Sequence, residues 1–553
     1  MKPSPKTEKA AAEAEAKAEI EAKKAEAEQA EASNIVKIHD DQEEEHHPNI
    51  PEDIFPIPAN SVGINASAEK IFSVIGEKKK LFMRGTNVTE ISTSDGVDHL
   101  SPMEPERLCG LIENFGYRVA RREARKNKDG TLRMSWRSHT FPISAAKLIM
   151  VTDAAREQLP TIRQMANCPI ITPEGEIITK GYHDHAGGTY ISKGKIPSVV
   201  PFDDALTALK GILGDFDFPS KSDFSRAFAS LISPALKMGG WIDKDFPLDM
   251  AEADKSQSGK TFRQKLVCLI YNEVPTSITV SEGGVGSTDE KISGALLKGR
   301  PFITLGNIRG KVDSGIMEEA LRGSGRVNCR GYRQTGEVDT KPFIWQLSTN
   351  GAELTRDLAN RTIVTKIRKQ PDGYEWMEYP EGDLESHVLK NQEFYLSCVF
   401  AILSSWLDAG RPETKEFRHD FREWSRAMDG IVQHCGLAPL LDGHREQQER
   451  TANPNLQWLR EIALSIPDRD LNSQLTASDL ADFGEDNFID IPGNPRSQEE
   501  PYRRVGKVLA KIFRDAGADE IQVDEFVVNR QEIVDYDREG RTSKKYVINR
   551  QKH

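Results

Sequence analysis

The chain has 553 residues and a formal net charge of −12 at pH 7, and this length is enough for about three or four domains. The charge argues against a protein coated with basic residues for binding nucleic acid, but it allows a local basic module, because an electrostatic field depends on patches rather than totals. No apolar run approaches membrane-spanning length and no hydrophobic signal region begins the chain, so we expect a cytoplasmic protein that does not contact a membrane.

Residues 1–50 predict a charged tail and linker. Residues 6–33 form an Ala/Glu/Lys block with high helix propensity and little apolar stripe, which is typical of a solvated helix or of a disordered tail. The acidic stretch after it contains His46 and His47, which we interpret as solvated histidines in preference to metal ligands.

Residues 51–200 predict an N-terminal domain of mixed helices and strands. Residues 78–92 are typical of a hairpin, residues 105–122 of a helix, and residues 145–166 of a further helical stretch. The run YHDH at residues 182–185 suggests either a metal cluster or a turn between two short strands. We favour the turn, because consecutive residues of an extended backbone cannot easily point at one ion.

Residues 201–384 predict a phosphate-binding core. Asp203-Asp204 and Ser222-Asp223 are typical helix starts. Residues 246–261 then run from an apolar stretch into a polar turn that ends in Gly259-Lys260-Thr261, which is the outline of a phosphate-binding loop.

Each residue type in this loop suits the chemistry of a nucleotide. Gly259 lets the backbone approach the phosphates, Lys260 reaches the outer phosphates, and Thr261 can ligate magnesium. The pattern is imperfect, because Asp254 stands where the first glycine belongs; we count Asp254 and Ser258 with the loop as nucleotide-binding candidates. The alternative is an incidental turn before a helix. Apolar residues at helical spacing predict that helix: Phe262, Leu266, Val267 and Ile270.

The segments after the loop predict a parallel-type sheet with crossover connections. Apolar stretches at 301–305, 343–347 and 362–367 are each separated by polar or helical stretches. Residues 385–490 predict a helical subdomain, because residues 385–465 are rich in Leu, Trp, Phe and charged residues without glycine clusters.

Residues 491–553 predict a winged-helix-like DNA-binding module. A helix from residue 501 has one apolar and one basic face, and two strands separated by the turn DREGRT follow it. The alternative is a capping helix and hairpin with solvated charges. The DNA-binding candidates are Arg504, Lys507, Lys511, Lys544 and Lys545.

The six cysteines are scattered and form no C-x-x-C pair. This pattern indicates reduced, mostly buried thiols rather than a zinc site or a disulfide framework.

Several stretches carry a family resemblance: LPTIRQMANCPIITPEGEIITKGYH, FDFPSKSDFSRAFASLISPAL, QSGKT, STDEKISGALLKGRPFITLGNIRG and WQLSTNGAELTRDLANRTIVTKI. They resemble the helicase-type ATPases of prophages, satellite phages and integrative elements, P-loop proteins related to AAA+ and superfamily III replicative helicases and to primase-helicases. The resemblance covers residues 159–463 and is strongest over 259–361. With the patterns above, it gives an α/β fold class: a P-loop NTPase core with a parallel-type sheet, a helical subdomain and a C-terminal winged-helix-like module.

The resemblance implies roles for individual residues. Lys260 and Thr261 would bind the nucleotide and its magnesium ion, and Asn350 in STNG would be a polar sensor at the end of a central strand. Arg361 in DLANR would stabilise the transferring phosphoryl group in a neighbouring subunit, with Arg330 a weaker candidate. For Arg361 the alternative is an ion pair with Asp357, one turn earlier on a helix.

One departure affects catalysis. In FITLGN, Gly306 followed by Asn307 stands where such ATPases carry the acidic (Walker B) residue that helps to activate water. Glu290 is our candidate substitute, with Asp289 and Glu282 as neighbours, although most acidic residues ahead of a helix are first-turn caps.

Two functions from different classes are therefore open. The first is an ATP- and Mg²⁺-dependent DNA helicase or replication-initiator ATPase of a mobile element, acting on DNA as a homo-oligomeric, most simply hexameric, ring. The second is a DNA-binding or assembly protein that binds a nucleotide without hydrolysing it, which the missing acid at Gly306 allows.

Overall fold

The computed structural model describes most of the chain beyond the N-terminal tail. The described residues are 49–59, 61–94, 96–126, 132–242, 246–253, 257–279, 287–308, 311–312, 314–322, 325–331, 334–349, 353–445, 447–448, 453–492, 499–523, 526–535 and 541–550. The tail, Asp254, Glu282 and Asn350 therefore lie outside the described residues.

The elements below are those of the described residues. The helices are α1 (Ile64–Glu77), α2 (Pro105–Glu113), α3 (Ile143–Ile149), α4 (Asp153–Gln158), α5 (Phe202–Gly211), α6 (Lys221–Met238), α7 (Lys260–Ile270), α8 (Thr288–Lys298), α9 (Gly315–Ala320), α10 (Arg356–Asn360), α11 (Leu384–Lys390), α12 (Gln392–Asp408), α13 (Arg422–His434), α14 (Pro454–Ser465), α15 (Ala477–Asp486) and α16 (Pro501–Ala516). The strands are β1 (Ile54–Pro56), β2 (Phe82–Arg84), β3 (Asn87–Ser94), β4 (Val97–Pro102), β5 (Arg118–Lys126), β6 (Leu132–Ser138), β7 (Gln164–Ala166), β8 (Ile170–Ile171), β9 (Ile177–Ile178), β10 (Gly181–His183), β11 (Thr189–Ile191), β12 (Leu248–Ala253), β13 (Thr276–Ile278), β14 (Phe302–Ile308), β15 (Lys311–Val312), β16 (Arg326–Gly331), β17 (Gln334–Asp339), β18 (Ile344–Thr349), β19 (Glu353–Leu354), β20 (Thr362–Ile367), β21 (Glu520–Val523), β22 (Phe526–Asp535) and β23 (Arg541–Arg550).

The chain divides into two compact units. Of the described residues, the first comprises those up to Ile71 and those of Pro105–Thr152, and the second comprises those of Phe72–Glu104 and those from Asp153 onward. In the first unit β1 pairs in parallel with β5, which pairs antiparallel with β6, so β6 is the edge strand.

The second unit is built around a mixed α/β core with a five-stranded sheet. Its strand order is β13-β14-β18-β12-β20, and all neighbouring strands are parallel. The apolar segments predicted as parallel strands are β14, β18 and β20, which confirms that prediction. Since the carboxyl ends of parallel strands meet at one edge, the segments that follow β12, β14 and β18 lie at the same edge of the sheet.

Both faces of this sheet are buried, as expected for parallel strands covered by crossover helices. Leu248 and Met250 of β12 belong to a hydrophobic cluster with α8 and α9. Ile363 of β20 and Phe302 of β14 belong to another cluster, with α6, α7, α12 and α13. The region predicted as a helical subdomain is helical, and α11, α12 and α13 pack there.

Several predicted elements need correction. The helix predicted over 105–122 ends at Glu113, and Gly116, with a φ of 89°, precedes the strand β5. Residues 145–166 contain the end of α3, the short helix α4 and the strand β7. The start of α6 is capped by Ser220, whose hydroxyl accepts from the amide of Asp223, rather than by Ser222.

The C-terminal segment forms one helix and three strands. Buried Val505, Val508, Leu509, Ile512 and Phe513 confirm the predicted apolar face of α16. The first of the two predicted strands is itself a hairpin of β21 and β22, and β22 then pairs with β23. These elements share a hydrophobic cluster with α14 and α15.

The six cysteines and the YHDH run at residues 182–185 can be compared with their predictions. All six cysteines are free and all but Cys109 are buried, which confirms the prediction of mostly buried thiols. β10 and β11 form a hairpin around residues 184–188, which confirms the turn. No group of three or more potential ligands (His, Cys, Asp or Glu) is gathered for a metal ion among the described residues. Nor does that part of the chain contain a helix with both the length and the apolar character needed to cross a membrane.

Two histidines, His419 and His444, are buried next to each other near α6. The rings of His419 and His444 stack with centroids 5.2 Å apart, and each residue is 1% exposed. His419 Nδ1 accepts the amide of Phe421, whereas both ring nitrogens of His444 have no hydrogen-bond partner within the described residues. Burial lowers the pKa of His419 to about 3, helped by the charge of His444; burial, with Arg226 and Arg418 nearby, lowers the pKa of His444 to about 4.

These histidines predict that the protein loses stability in mild acid. Below a pH of about 6.5 the unfolded chain protonates both rings, whereas the folded protein does not until much lower pH, so the free energy of unfolding falls as the pH decreases through 6.5. Each ring contributes a slope of up to about 1.4 kcal/mol per pH unit. The free energy of unfolding, measured by urea denaturation between pH 7.5 and 5.5, should depend less steeply on pH in His444→Gln than in the parent. The control His185→Gln replaces an imidazole that is 59% exposed, and it should keep the parent's dependence on pH. An equal slope of unfolding free energy against pH in His444→Gln and in the parent would contradict the assignment of this pH dependence to the buried histidines.

Candidate functional site

The described part of the predicted loop contains two residues with a left-handed backbone. Gln257 has a φ of 64° and Gly259 a φ of 85°, so two left-handed residues flank Ser258. Left-handed geometry is unusual for glutamine, because its Cβ crowds the backbone in this conformation. A Cβ at Gly259 would lie 3.0 Å from the Phe216 ring, and a φ of 85° is rare for residues with a side chain, so this position favours glycine.

Lys260 and Thr261 begin the helix that follows the loop. α7 starts at Lys260 with Gly259 as its N-cap, and the predicted apolar face is packed, with Leu266, Val267 and Ile270 buried. The free amides and the positive end of the helix dipole therefore meet at the loop. Lys260 is 7% exposed, and the buried hydroxyl of Ser258 has no hydrogen-bond partner in the described part of the chain.

Thr261 connects the loop to the neighbouring strand. Its hydroxyl lies 3.0 Å from that of Ser348 near the carboxyl end of β18. Asn350, the predicted sensor, is two residues beyond Ser348 and outside the described residues. The strands β12 and β18 are direct neighbours, and Glu252 is paired in register with Thr349. The fold thus brings the loop and the end of β18 together.

The helix α7 is fixed to the sheet by buried polar contacts. Arg263, which is fully buried, donates to both carboxylate oxygens of Asp249 at 2.7 and 2.9 Å and to the hydroxyl of Ser230. Gln264 donates to the carbonyls of Asp249 and Leu347, one on each of two adjacent strands. These contacts satisfy both Nη atoms of Arg263 and the Nε2 of Gln264, which burial would otherwise penalise, so they hold the start of α7 in place.

An aromatic depression adjoins the loop. Phe216 touches Gly259, stacks on Phe262 with ring centroids 6.2 Å apart, and lines an open cavity of about 510 Å³ together with Phe218 and Phe224. Sequence reasoning missed these rings. The signal was the run FDFP ahead of α6, but only the tertiary contact with Gly259 relates it to the loop.

Arg361 lies at the opposite edge of the sheet. It is the last residue before β20, and its carbonyl accepts the amide of Leu248, the first residue of β12. The loop follows the other end of β12, about 17 Å away at the rise of a β-strand. Arg361 therefore cannot reach phosphates bound at its own loop.

The side chain of Arg361 makes the ion pair considered as the alternative. Its guanidinium lies 2.8 Å from Asp357 one turn earlier, and it is 16% exposed. Arg322, which is 56% exposed, shares the same carboxylate at 3.2 Å. A partly exposed pair of this kind is worth about 1 kcal/mol or less, so it does not prevent Arg361 from engaging another anion.

The acidic candidates are on a helix that follows the outermost strand on the β13 side of the sheet. Glu290 and Asp289 are in the first turn of α8, where Ser287 caps the helix by accepting the amide of Glu290 and Ser314 donates to Asp289. This helix follows β13, which is three strand spacings, or about 14 Å, from β12. Glu290 and Asp289 instead line an open groove with Arg330 of β16, and the described lining of that groove does not include Lys260.

The predicted Walker B position is at an irregular strand end. β14 shifts register against β18 between Leu305 and Ile308, so Gly306 and Asn307 lie in a bulge at the carboxyl edge. Among the described residues, a Cβ on Gly306 would meet the Ser277 hydroxyl, at 3.7 Å. The described packing therefore has room for a Cβ there, and it does not require glycine. The described carboxylate nearest the loop along the chain is Glu252 at the end of β12.

The five C-terminal candidates are mostly paired. Lys507 contacts Glu499, Lys511 contacts Glu353, Arg504 donates to the carbonyl of Ile491, and Lys544 lies 3.8 Å from Glu532. Lys544 and Lys545 are consecutive on β23, and consecutive strand residues face opposite sides, so the five do not share one face. Their role in binding DNA stays a prediction.

Comparisons with known proteins leave the family open. No family model and no curated protein matches the chain. Among solved structures, it is similar to "SCCmec type IV Cch - active helicase", with 11% identity and a TM-score of 0.29, over 84% of this chain and 90% of that one. It is also similar to the A form apo structure of the NrS-1 C-terminal region, with 11% identity and a TM-score of 0.31, over 86% of this chain and 98% of that one. TM-scores this low do not establish a common fold.

Proposed function

We propose that this chain is a DNA-dependent ATPase of the helicase or replication-initiator type, with ATP and Mg²⁺ as cofactors. The observation that carries the proposal is the loop between β12 and α7: two left-handed residues, a glycine against an aromatic ring, and Lys260 and Thr261 opening a helix beside the end of β18. Backbone amides, a helix N-terminus and a lysine in this order suit the phosphates of a nucleotide.

The surrounding residues support a nucleotide as the ligand. Lys260 would neutralise the outer phosphates, and the Thr261 hydroxyl is an oxygen ligand of the kind that Mg²⁺ accepts. The Ser258 hydroxyl, buried without a partner among the described residues, is a further group for a phosphate oxygen. Phe216 and its neighbours offer an apolar surface on which the base would stack.

An oligomer is part of the proposal because Arg361 is at the wrong edge to serve its own loop. In a closed ring, the Arg361 edge of one copy would face the loop edge of the next, and a planar permanent cation would then stabilise charge on the transferring phosphoryl group. We propose a homo-oligomeric ring, most simply a hexamer, which acts on the DNA of a mobile element. The helix α16 with β21, β22 and β23 would be a winged-helix-like DNA module.

A second function is favoured by the bulge at Gly306. Without a carboxylate at the end of β14, and with Glu290 near the far edge of the sheet, water lacks its usual activating group. The protein would then bind ATP to stabilise an assembly on DNA without hydrolysing it.

ATP turnover measured with and without single-stranded DNA tests both functions. We expect turnover that DNA stimulates; nucleotide-promoted oligomers without turnover would favour the second function. Gly306→Glu places a carboxylate where the described packing has room for a Cβ, and we expect it to raise turnover if the missing acid limits catalysis. A parent protein with neither ATP binding nor turnover would refute both functions.

A further inference from the structure

A two-stranded ribbon in the first unit is strongly basic in an otherwise acidic chain. β5 carries five Arg and Lys residues and β6 carries two, against the single acid Glu123. The chain as a whole has a net charge of −12. This ribbon is absent from the sequence predictions, because residues 118–122 were assigned to a helix and the strand pairing that gathers the charges was not visible.

On one face of the ribbon, arginines of β5 lie directly opposite arginines of β6. The register pairs Arg121 with Arg137 and Arg125 with Arg133 across the two strands. Like charges at opposed positions are destabilising. Glu123 offsets the first pair, since its carboxylate lies 3.9 Å from Arg137 and 3.0 Å from His139.

The second pair has no such compensation. Arg125 and Arg133 are both exposed, and neither has an acidic partner among the residues that the structure describes. The Nε of Arg121 is buried without a hydrogen-bond partner there. This face therefore keeps an unfavourable concentration of positive charge, which a bound polyanion would relieve.

The other face combines cations with apolar side chains. Trp136 is opposite Arg122, and Leu132 is opposite Lys126. Leu132 is 73% exposed and Met134 is 41% exposed. Trp136 is half-buried. Exposed apolar side chains and a partly exposed aromatic ring among cations suit unpaired bases, which stack on side chains while their phosphates meet positive charge.

One edge of β6 pairs with no other described strand, and side chains of both faces border this edge. β6 is the last strand of its sheet, so Arg133 and Arg137 flank this edge on one side and Leu132, Met134 and Trp136 flank it on the other. We propose that the β5–β6 ribbon is a binding surface for single-stranded DNA that runs along the edge of β6, with phosphates on the arginine face and bases against the apolar face. Only the choice of DNA as the polyanion rests on the proposed function.

The test is the affinity of the full chain for a labelled single-stranded oligonucleotide, measured by fluorescence anisotropy over a range of salt concentrations. The test variant is Arg125→Ser with Arg133→Ser. If each arginine contacts one phosphate, the slope of log affinity against log salt should decrease in magnitude by about 1.4, and the affinity at 0.1 M salt should fall roughly 25-fold. Loss of an opposed like-charge pair should leave thermal stability unchanged or raise it, so weaker binding cannot be attributed to unfolding.

The matched control is Arg156→Ser with Arg469→Ser, which removes the same charge from exposed arginines that already have acidic neighbours. We expect it to bind DNA like the parent. Unchanged affinity and salt slope in the test variant would overturn the proposal, and so would a loss confined to duplex DNA or to anionic lipid vesicles. Aggregation of the test variant without loss of DNA affinity would mean that the arginines only protect an edge strand.

ATP binding is read in the same samples to separate this proposal from the proposed function. A test variant that binds ATP normally but loses single-stranded DNA supports the ribbon. If the parent binds no ATP, but the two substitutions in the test variant still weaken the binding of single-stranded DNA, the ATPase assignment fails and the ribbon proposal stands. If the parent binds ATP but not single-stranded DNA, the ribbon proposal fails.

Discussion

Replacement of Lys260 by alanine is expected to abolish ATP binding and turnover while the fold stays intact. Lys260 begins α7 at the turn formed by Gln257 and Gly259, so its ammonium group is the positive charge nearest the proposed phosphates along the chain. A charge-assisted hydrogen bond contributes about 1.5–3 kcal/mol, and a lysine that reaches two phosphates makes more than one, so we expect affinity to fall roughly 100-fold or more.

The measurement is equilibrium binding of a fluorescent ATP analogue together with steady-state turnover. Lys265→Ala is the matched control, because Lys265 is in the same helix, is 47% exposed and pairs with Glu385 away from the loop. Both variants should unfold at nearly the parent temperature. Parent affinity in Lys260→Ala would remove the basis for a phosphate-binding loop.

Arg361→Ala is expected to bind ATP like the parent but to lose turnover, by about 10³-fold or more if the arginine acts on the transferring phosphoryl group. The reason is its position: the carbonyl of Arg361 bonds to the first residue of β12, whereas the loop follows the last. The affinity of a subunit's own loop for ATP should therefore be unchanged by the substitution.

Mixing the inactive variants gives the decisive result. Arg361→Ala mixed with Lys260→Ala should recover partial turnover, because some mixed interfaces combine an intact loop with an intact arginine from the neighbour. Arg322→Ala is the control: it shares the carboxylate of Asp357 but is not predicted to act on the nucleotide. If the protein does not hydrolyse ATP, Arg361→Ala should instead weaken nucleotide-promoted assembly. Robust turnover by a monomer that tolerates Arg361→Ala would defeat both proposed functions.

The sequence by itself determined the features that depend on neighbours along the chain. Helical spacing of apolar residues predicted α7 and α16, and both bury the predicted faces. The apolar segments of β14, β18 and β20 were predicted as parallel strands, because their separation by polar or helical stretches favours crossover connections. The motif assigned Gly259 to a tight turn before a helix, and the left-handed backbone at this residue is one that glycine adopts without strain.

Only the tertiary structure decided which residues meet. The positions of Arg361 at one edge and Lys260 at the other follow from the order and direction of strands, and nothing in DLANR or QSGKT specifies that edge. Phe216 reaches Gly259 from more than 40 residues away. The opposed arginines of β5 and β6 exist only in the register of the ribbon, because a shift of one residue would move every side chain to the other face. Pairing between strands is a contact between distant segments, so patterns of local spacing predict that such strands form but not which charges they bring together.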